Sequence, residues 1–223
     1  MVYSSSAIPE CIPGCQLVTE QQKINQLLQS LDLYSAIIVN LEGYYYRSIN
    51  YGFSKEPLST KGAEITGGRY NFKPKTGTSF PCFYCADHED TATTEKFYGL
   101  RLAGKPRSPH TTFAVELKLS RMLDLRSEEF CHKAGVNWES INQDWRYNQD
   151  NLDTLSYTQM ISMIASKSGI IEGIIYTSTK KTEGICLAIY KDIMLSGSFL
   201  KLYDPRDDYR DVPEENKCYY GKR

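Results

Sequence analysis

The order of elements in this 223-residue chain predicts an α+β fold with a mostly antiparallel sheet and flanking helices. Three observations carry that reading. Gly43 to Ile49 and Phe80 to Ala86 are short aromatic runs that suit a pleated, half-buried surface. Gly169 to Tyr190 reads as two strands joined by a turn over Lys180 to Gly184. Two further segments place apolar residues at helical spacing behind a capping-box pair.

In chain order, residues 1–16 read as an irregular leader with Pro9, Pro13 and Gly14. Thr19 and Gln22 then form a capping-box pattern ahead of a helix whose apolar face is Ile24, Leu27, Leu28 and Leu31. Tyr34 to Leu41 is apolar and fits either a strand or a helix. The Gly43 to Ile49 strand carries Arg47 at its middle, where an arginine either snorkels outward or faces a polar cleft. Gly67-Gly68 permits a tight turn or a close approach, and Arg69 sets a permanent planar cation beside it. Asn71 bonds either its own turn or a ligand hydroxyl. The Phe80 to Ala86 strand holds Tyr84 near its end. Asp90 caps a helix that carries Glu95 and ends near Gly99. A basic exposed loop follows from Arg101 to Pro109, and Thr111 to Leu119 alternates as a strand does.

Asp124 to Asp153 is polar and irregular, with Trp138 and Trp145 anchoring one or two short helices. Ser156 and Gln159 repeat the capping pattern before Met160, Ile161, Ile164 and Ala165, and Gly169 stops that helix. Ser178 sits at the end of the strand that follows. From Asp204 the chain is charged and reads as a peripheral or partly disordered tail. The organisation expected is an N-terminal extension over 1–42, a catalytic domain over 43–200 and a tail over 201–223.

Composition narrows the function. A chain that is 41% hydrophobic with a net charge of −1 suits one large domain and gives no general reason to expect a nucleic-acid partner. No apolar run is long enough to span a bilayer, so no membrane partner is expected either. The start lacks the basic-then-apolar order of a secretory signal, which points to the cytoplasm or to delivery into another cell without such a signal. Seven scattered cysteines do not make a disulfide framework. Cys11, Cys15, Cys82 and Cys85 mimic a zinc spacing, but Cys82 and Cys85 lie three apart on a strand and so face opposite ways. Buried free thiols are the better reading. Ser178 has no nucleophile-elbow glycines, and His88, His110 and His132 show no triad spacing. Taken singly, Arg69, Tyr84 and Glu95 would read as a surface cation, a half-buried phenol and a solvated carboxylate.

Taken in order they read differently. Tyr46-Arg47 on an early strand, Gly67-Gly68-Arg69-Tyr70-Asn71, Tyr84-x-Ala86, Ala92-x-x-Glu95 and the late Gly173-Ile174-Ile175-Tyr176-Thr177-Ser178 resemble the RES domain. The resemblance covers roughly Tyr44 to Tyr190. It departs at Tyr70, where the family often has tryptophan, and in the long Phe72 to Phe80 loop. The resemblance implies an ADP-ribosyltransferase-like core of two packed, mostly antiparallel sheets with flanking helices. It also implies a toxin that degrades NAD by glycohydrolysis or phosphorolysis and is blocked by an Xre-type antitoxin or an immunity protein. Carried over, the family's functional positions fall on Arg69, Tyr84, Glu95 and Ser178 as catalytic residues. Arg47, Tyr70, Asn71 and Tyr176 fall into the NAD-binding set.

The side chains suit that chemistry. Breaking a nicotinamide–ribose bond develops positive charge on the sugar, and Glu95 supplies a carboxylate to meet it. Arg69 or Arg47 suits a diphosphate, Tyr84 can stack on nicotinamide, and Ser178 can bond a phosphate or a ribose hydroxyl. Nicotinamide is already a cationic leaving group, so the expectation is NAD as substrate with no cofactor and no metal. Two other readings fit the same residues: transfer of ADP-ribose to a macromolecule, and a non-catalytic nucleotide-binding or interaction protein.

Overall fold

The computed structural model describes residues 20–32 and 38–223. Helix α1 (Glu20–Ser30) forms where the leucine spacing places it, and Leu27 and Leu31 are buried with Ile24 packed against the same cluster. Leu28 does not join them and stays 53% exposed. Successive helical residues are turned by about 100°, so a narrow contact stripe that buries Leu27 leaves Leu28 to one side. Thr19 of the capping pattern lies outside the described residues, as do Cys11, Cys15 and the first half of the ambiguous Tyr34 to Leu41 run, whose second half is strand.

Strand β1 (Ile38–Asn50) runs antiparallel to β3 (His110–Leu125) from Ile38 opposite Leu123 to Asn50 opposite His110. Both exceed their expected lengths. In β3 the alternation of buried and exposed residues gives way to continuous burial from Met122 to Leu125. There it pairs in parallel with β4 (Gly173–Thr177) and is covered on both faces, which erases the period-two signal. Between these strands lie the short helix α2 (Lys61–Thr66), strand β2 (Cys82–Ala86) and helix α3 (Glu89–Leu102). Asp90 is not the cap of α3: His88 takes that position without a side-chain bond, and Asp90 sits inside the first turn, paired with Lys181 at 2.5 Å. The helix also runs through Gly99 to Leu102 instead of stopping.

The polar stretch after β3 forms α4 (Glu128–Lys133), α5 (Trp138–Ile141) and a π-helical turn over Tyr147–Leu152. Trp138 packs on the core, whereas Trp145 stacks with Arg146 at 4.6 Å and joins no core cluster. Helix α6 (Tyr157–Ser168) shows both bonds of the Ser156/Gln159 capping box and ends on Gly169 at φ 69°, as its sequence requires. Strands β4 and β5 (Ile185–Tyr190) pair as the expected antiparallel hairpin. The charged tail is not merely peripheral. It supplies β7 (Cys218–Tyr220), which pairs with β6 (Phe199–Leu202), and Tyr219 packs against the core.

The strand order is β1-β2-β5-β4-β3-β6-β7, and β3 also pairs with β1. Strands β1, β2, β5, β4 and β3 therefore close on themselves, with β6 and β7 extending from β3. The two layers expected of the fold, β2-β5-β4 and β1-β3-β6-β7, are halves of this one hydrogen-bonded network, joined by the length of β1 and β3. All pairings are antiparallel except β3 with β4. One core lies between the layers and includes Phe83, Val115, Leu117, Ile175, Leu187 and Leu200. A second covers the outer face of β2-β5-β4 beneath α1, α4, α5 and α6, with Tyr70, Leu123, Ile161, Ile174 and Tyr190. Strand alternation puts Cys82 in the outer core and Cys85 in the inner one, both as buried free thiols. No helix among the described residues is long and apolar enough to cross a membrane.

Glu172 joins the strands at the turn into β4. It is fully buried, and its carboxylate accepts from the backbone N–H groups of Ser120 (2.7 Å), Arg121 (2.9 Å) and Leu195 (2.8 Å). Glu172→Ala strands those buried donors and should lower the unfolding free energy by about 3–5 kcal/mol in urea titrations. Glu172→Gln, which keeps one accepting oxygen, should cost less than half of that; equal losses would mean that the carboxylate is not what holds these donors.

Candidate active site

The site is assembled around the turn that follows α2. Gly67 ends that helix at φ 71°, a conformation that other residues reach only with strain. At Gly68 a Cβ would come within 2.6 Å of the Tyr84 hydroxyl and 2.7 Å of Asn71 Oδ1, so the close approach requires glycine. The turn closes as a bridge between Gly68 and Asn71.

Buried polar groups fix its position. The Tyr84 hydroxyl accepts from the Tyr70 backbone N–H at 3.0 Å and donates to Asn71 Oδ1 at 2.7 Å. Asn71 is fully buried and donates to the Ala63 carbonyl (2.9 Å) and to Ser79 Oγ (3.1 Å). Ser162 Oγ on α6 donates to the Tyr70 carbonyl and meets the Tyr190 hydroxyl at 2.8 Å. Gln159 does two things at once. Its Oε1 completes the capping box, and its Nε2 donates to the Gly68 carbonyl at 3.0 Å. Gln149 accepts from the Lys73 N–H (3.2 Å) and donates to the Thr66 carbonyl (3.1 Å). The sequence reading missed Gln149 and Ser162 and saw Gln159 as a cap alone. Gln149 lies in an irregular stretch far along the chain, where nothing local marks it.

Held this way, Arg69 lies against two rings, with its guanidinium carbon 5.8 Å from the centre of Tyr70 and 5.6 Å from that of Tyr176. Those rings pack on each other at 4.5 Å. Arg69 Nη2 donates to the Ile141 carbonyl at the end of α5, while its buried Nε has no partner among the described residues. Burial raises the Tyr84 phenol well above its ordinary pKa, with Cys82 adding to the effect. Tyr176 is raised too, first by burial and then by Cys186, Tyr84 and Glu95. Both remain neutral phenols at physiological pH.

Ser178 stands two residues beyond Tyr176 on the same outer side, where β4 ends. Its Oγ accepts from the backbone N–H groups of Lys180 (3.0 Å) and Lys181 (2.9 Å) and donates to Glu95 Oε1 at 2.5 Å. The two backbone donors occupy the hydroxyl's lone pairs, so its proton is directed at the carboxylate. The Cys186 thiol lies 4.0 Å from the same oxygen. Among the described residues Oε1 is the oxygen with protein partners, which leaves Oε2 for a ligand.

The structure thus brings Arg69, Tyr70, Tyr84, Tyr176, Glu95 and Ser178 to one face, from four separate stretches of chain. Two expectations need correction. Asn71 does not reach toward a ligand: its amide is buried and its bonds hold the turn. Arg47 does not join the group. Its guanidinium stacks on Phe83 at 4.3 Å and donates to the Ser59 carbonyl at 2.6 Å, with Nη1 buried and unpartnered among the described residues. Phe83 and Tyr84 are neighbours on β2 and face opposite ways, so Arg47 belongs to the inner side of the sheet. Burial lowers its pKa to about 10, and it stays charged. Tyr70 is fully buried, and its place is as the wall against Arg69.

The RES domain profile matches residues 45–196, a span that holds every one of these side chains. The chain belongs to the RES domain family. Among solved structures it is similar to the M. tuberculosis MbcT toxin of the MbcT–MbcA toxin–antitoxin complex, at 19% identity over 80% of this chain and 89% of that one, with a TM-score of 0.54. At that identity the likeness is one of fold. No curated protein matches the chain. The RES match leaves out α1, β6 and β7.

Tyr84→Phe keeps the ring and removes the bonds that fix the turn. It should lower the unfolding free energy by about 1–3 kcal/mol and accelerate amide hydrogen exchange at Tyr70. Unchanged exchange at that amide would show that the phenol does not hold it.

Proposed function

We propose that this RES protein is a toxin that cleaves the nicotinamide–ribose bond of NAD and so depletes the cytoplasmic pool of the cell in which it acts. The observation that carries the reading is the Ser178–Glu95 contact at 2.5 Å, set on the same face as the Arg69–Tyr176 stack. A carboxylate whose one oxygen is held by a directed hydroxyl keeps its other oxygen in place for a developing cation.

In this mechanism Arg69 holds the diphosphate through the donors not spent on Ile141, and the wall of Tyr70 and Tyr176 fixes its direction. The C–N bond to nicotinamide breaks, its electron pair leaves with neutral nicotinamide, and positive charge spreads over the ribose ring. Glu95 stabilises that charge more than it stabilises the bound substrate, which is the differential binding that lowers the barrier. Water then adds to the sugar carbon and loses a proton, giving ADP-ribose; inorganic phosphate in place of water gives the phosphorylated sugar. Tyr84 and Ser178 position the turn and the carboxylate. By the same likeness to a toxin held in a toxin–antitoxin complex, a protein antitoxin is the proposed partner.

The test is nicotinamide release from NAD by the purified full chain, with and without phosphate. Glu95→Gln should reduce turnover by about 10²–10³-fold while melting as wild type. Ser178→Ala should reduce it by roughly tenfold with little change in KM, since it acts through the carboxylate. Wild-type protein that releases no nicotinamide under either condition overturns the reading. Release that appears only when a macromolecular acceptor is added replaces it with ADP-ribosyl transfer.

A further inference from the structure

The cations of this chain are not evenly spread: Lys96, Arg101, Lys105 and Arg107 lie between residues 96 and 109 with no carboxylate among them. None of the eight ion pairs among the described residues includes Lys96, Arg101, Lys105, Arg107 or Lys180. These five belong to one region, the C-terminal half of α3, the loop that follows it, and the β4–β5 turn laid along the helix. Aromatic rings organise four of the five. Lys180 Nζ lies 4.6 Å from the centre of Tyr98 and Arg101 5.4 Å from the same ring. Phe97 has Lys96 at 5.7 Å and Arg107 at 5.9 Å. The nearby carboxylate of Asp90 pairs with Lys181 and also faces the charge of Arg107, so it offsets only part of this excess. In a chain of net charge −1, such a local excess of cations is a built feature and not a reflection of composition.

We propose that this surface docks an acidic polypeptide segment of a protein partner, alongside the Glu95–Ser178 pair. Charge complementarity names the sign of the occupant. The apolar surroundings favour a protein over a nucleic acid. Leu102, at the end of α3 where the loop begins, is 71% exposed. At the loop's other end the Pro109 carbonyl accepts from the Tyr51 N–H, and Tyr51 and Phe53 are 65% and 63% exposed. Isolated apolar anchors flanked by arginines suit a protein interface. Single-stranded nucleic acid binds instead by stacking bases on open aromatic faces, and here Phe97 is buried and Tyr98 carries cations over its ring. The docking does not depend on which reaction the site performs.

The experiment uses the full chain and a fluorescein-labelled peptide alternating paired glutamates with leucine, read by fluorescence anisotropy. A glutamine counterpart and an oligothymidylate of equal charge run beside it. The acidic peptide should bind, weaken as salt is raised, and bind on the order of tenfold less well to R101E/K105E/R107E. The glutamine peptide should not bind. Leu102→Ala should weaken the peptide and leave the oligothymidylate unchanged. If the charge-reversed protein fails to melt as wild type, R101A/K105A/R107A supplies the same comparison. No binding of the acidic peptide, binding indifferent to the triple change, or tighter binding of the oligothymidylate each overturns the proposal.

Discussion

The arrangement of the site rests on one phenol. The Tyr84 hydroxyl takes the Tyr70 N–H and gives its proton to Asn71, and so ties a glycine turn without regular structure to the middle of a sheet. Ser162 and Gln159 grip the same turn from α6, and Gln149 does so from the π-helical turn. Each of these groups is buried or half-buried, so any that let go would be left without water or partner. The position of the turn is therefore over-determined, and Arg69, which follows it directly, inherits that precision. Its Nε and the Tyr70 hydroxyl are the two buried polar groups of this region without a partner among the described residues, and both lie where the network meets the Arg69 wall.

Closure of the sheet sorts the remaining residues. On a strand successive side chains alternate, so once β1, β2, β5, β4 and β3 close, each residue is committed to the inside or the outside. Tyr84, Tyr176 and Ser178 go out, toward α3 and α6. Phe83 goes in, and Arg47 goes with it. Strands β1 and β2 meet only at Tyr46 and Ala86, one residue before Arg47, so this cation stands where the closure is thinnest. The two arginines that motif order places together are thus set in different media. Arg69 keeps an open side, while Arg47 is desolvated enough to pull its pKa down to about 10.

Much of this was legible in the residues, and the failures have physical causes. Helix α6 was readable from end to end because Ser156, Gln159 and Gly169 each perform the local task that their chemistry suits. The β4–β5 hairpin was equally plain. Helix α2 and strands β6 and β7 were not, since elements so short carry no period of their own and exist through pairing with distant chain. Ordered motifs singled out Arg69, Tyr84, Glu95 and Ser178, which the structure brings to one face, but the face a strand residue takes depends on register, and that is why Arg47 was grouped with them. Asn71 was readable as either a turn former or a ligand group, and burial decided between them. Gln149 and Ser162 carried no signal because a buried hydrogen bond between remote segments leaves no local pattern.

Helix α3 is where the parts of the molecule meet. Its first turn is clamped by the Asp90–Lys181 pair, its middle holds Glu95, and its end presents cations without counter-charges. Glu95, Tyr98 and Leu102 are spaced three and four apart and so share one side of the helix. Seven residues of helix rise by about 10 Å, so a chain lying along that side from Leu102 arrives at the carboxylate with no more than a few residues of its own. The residues between 178 and 184 lie along the same helix, from Ser178 at Glu95 to Lys180 at Tyr98. A charge brought to this end of α3 therefore lies close to the hydroxyl and carboxylate at its middle. One short helix joins the chemistry of the site to whatever approaches it.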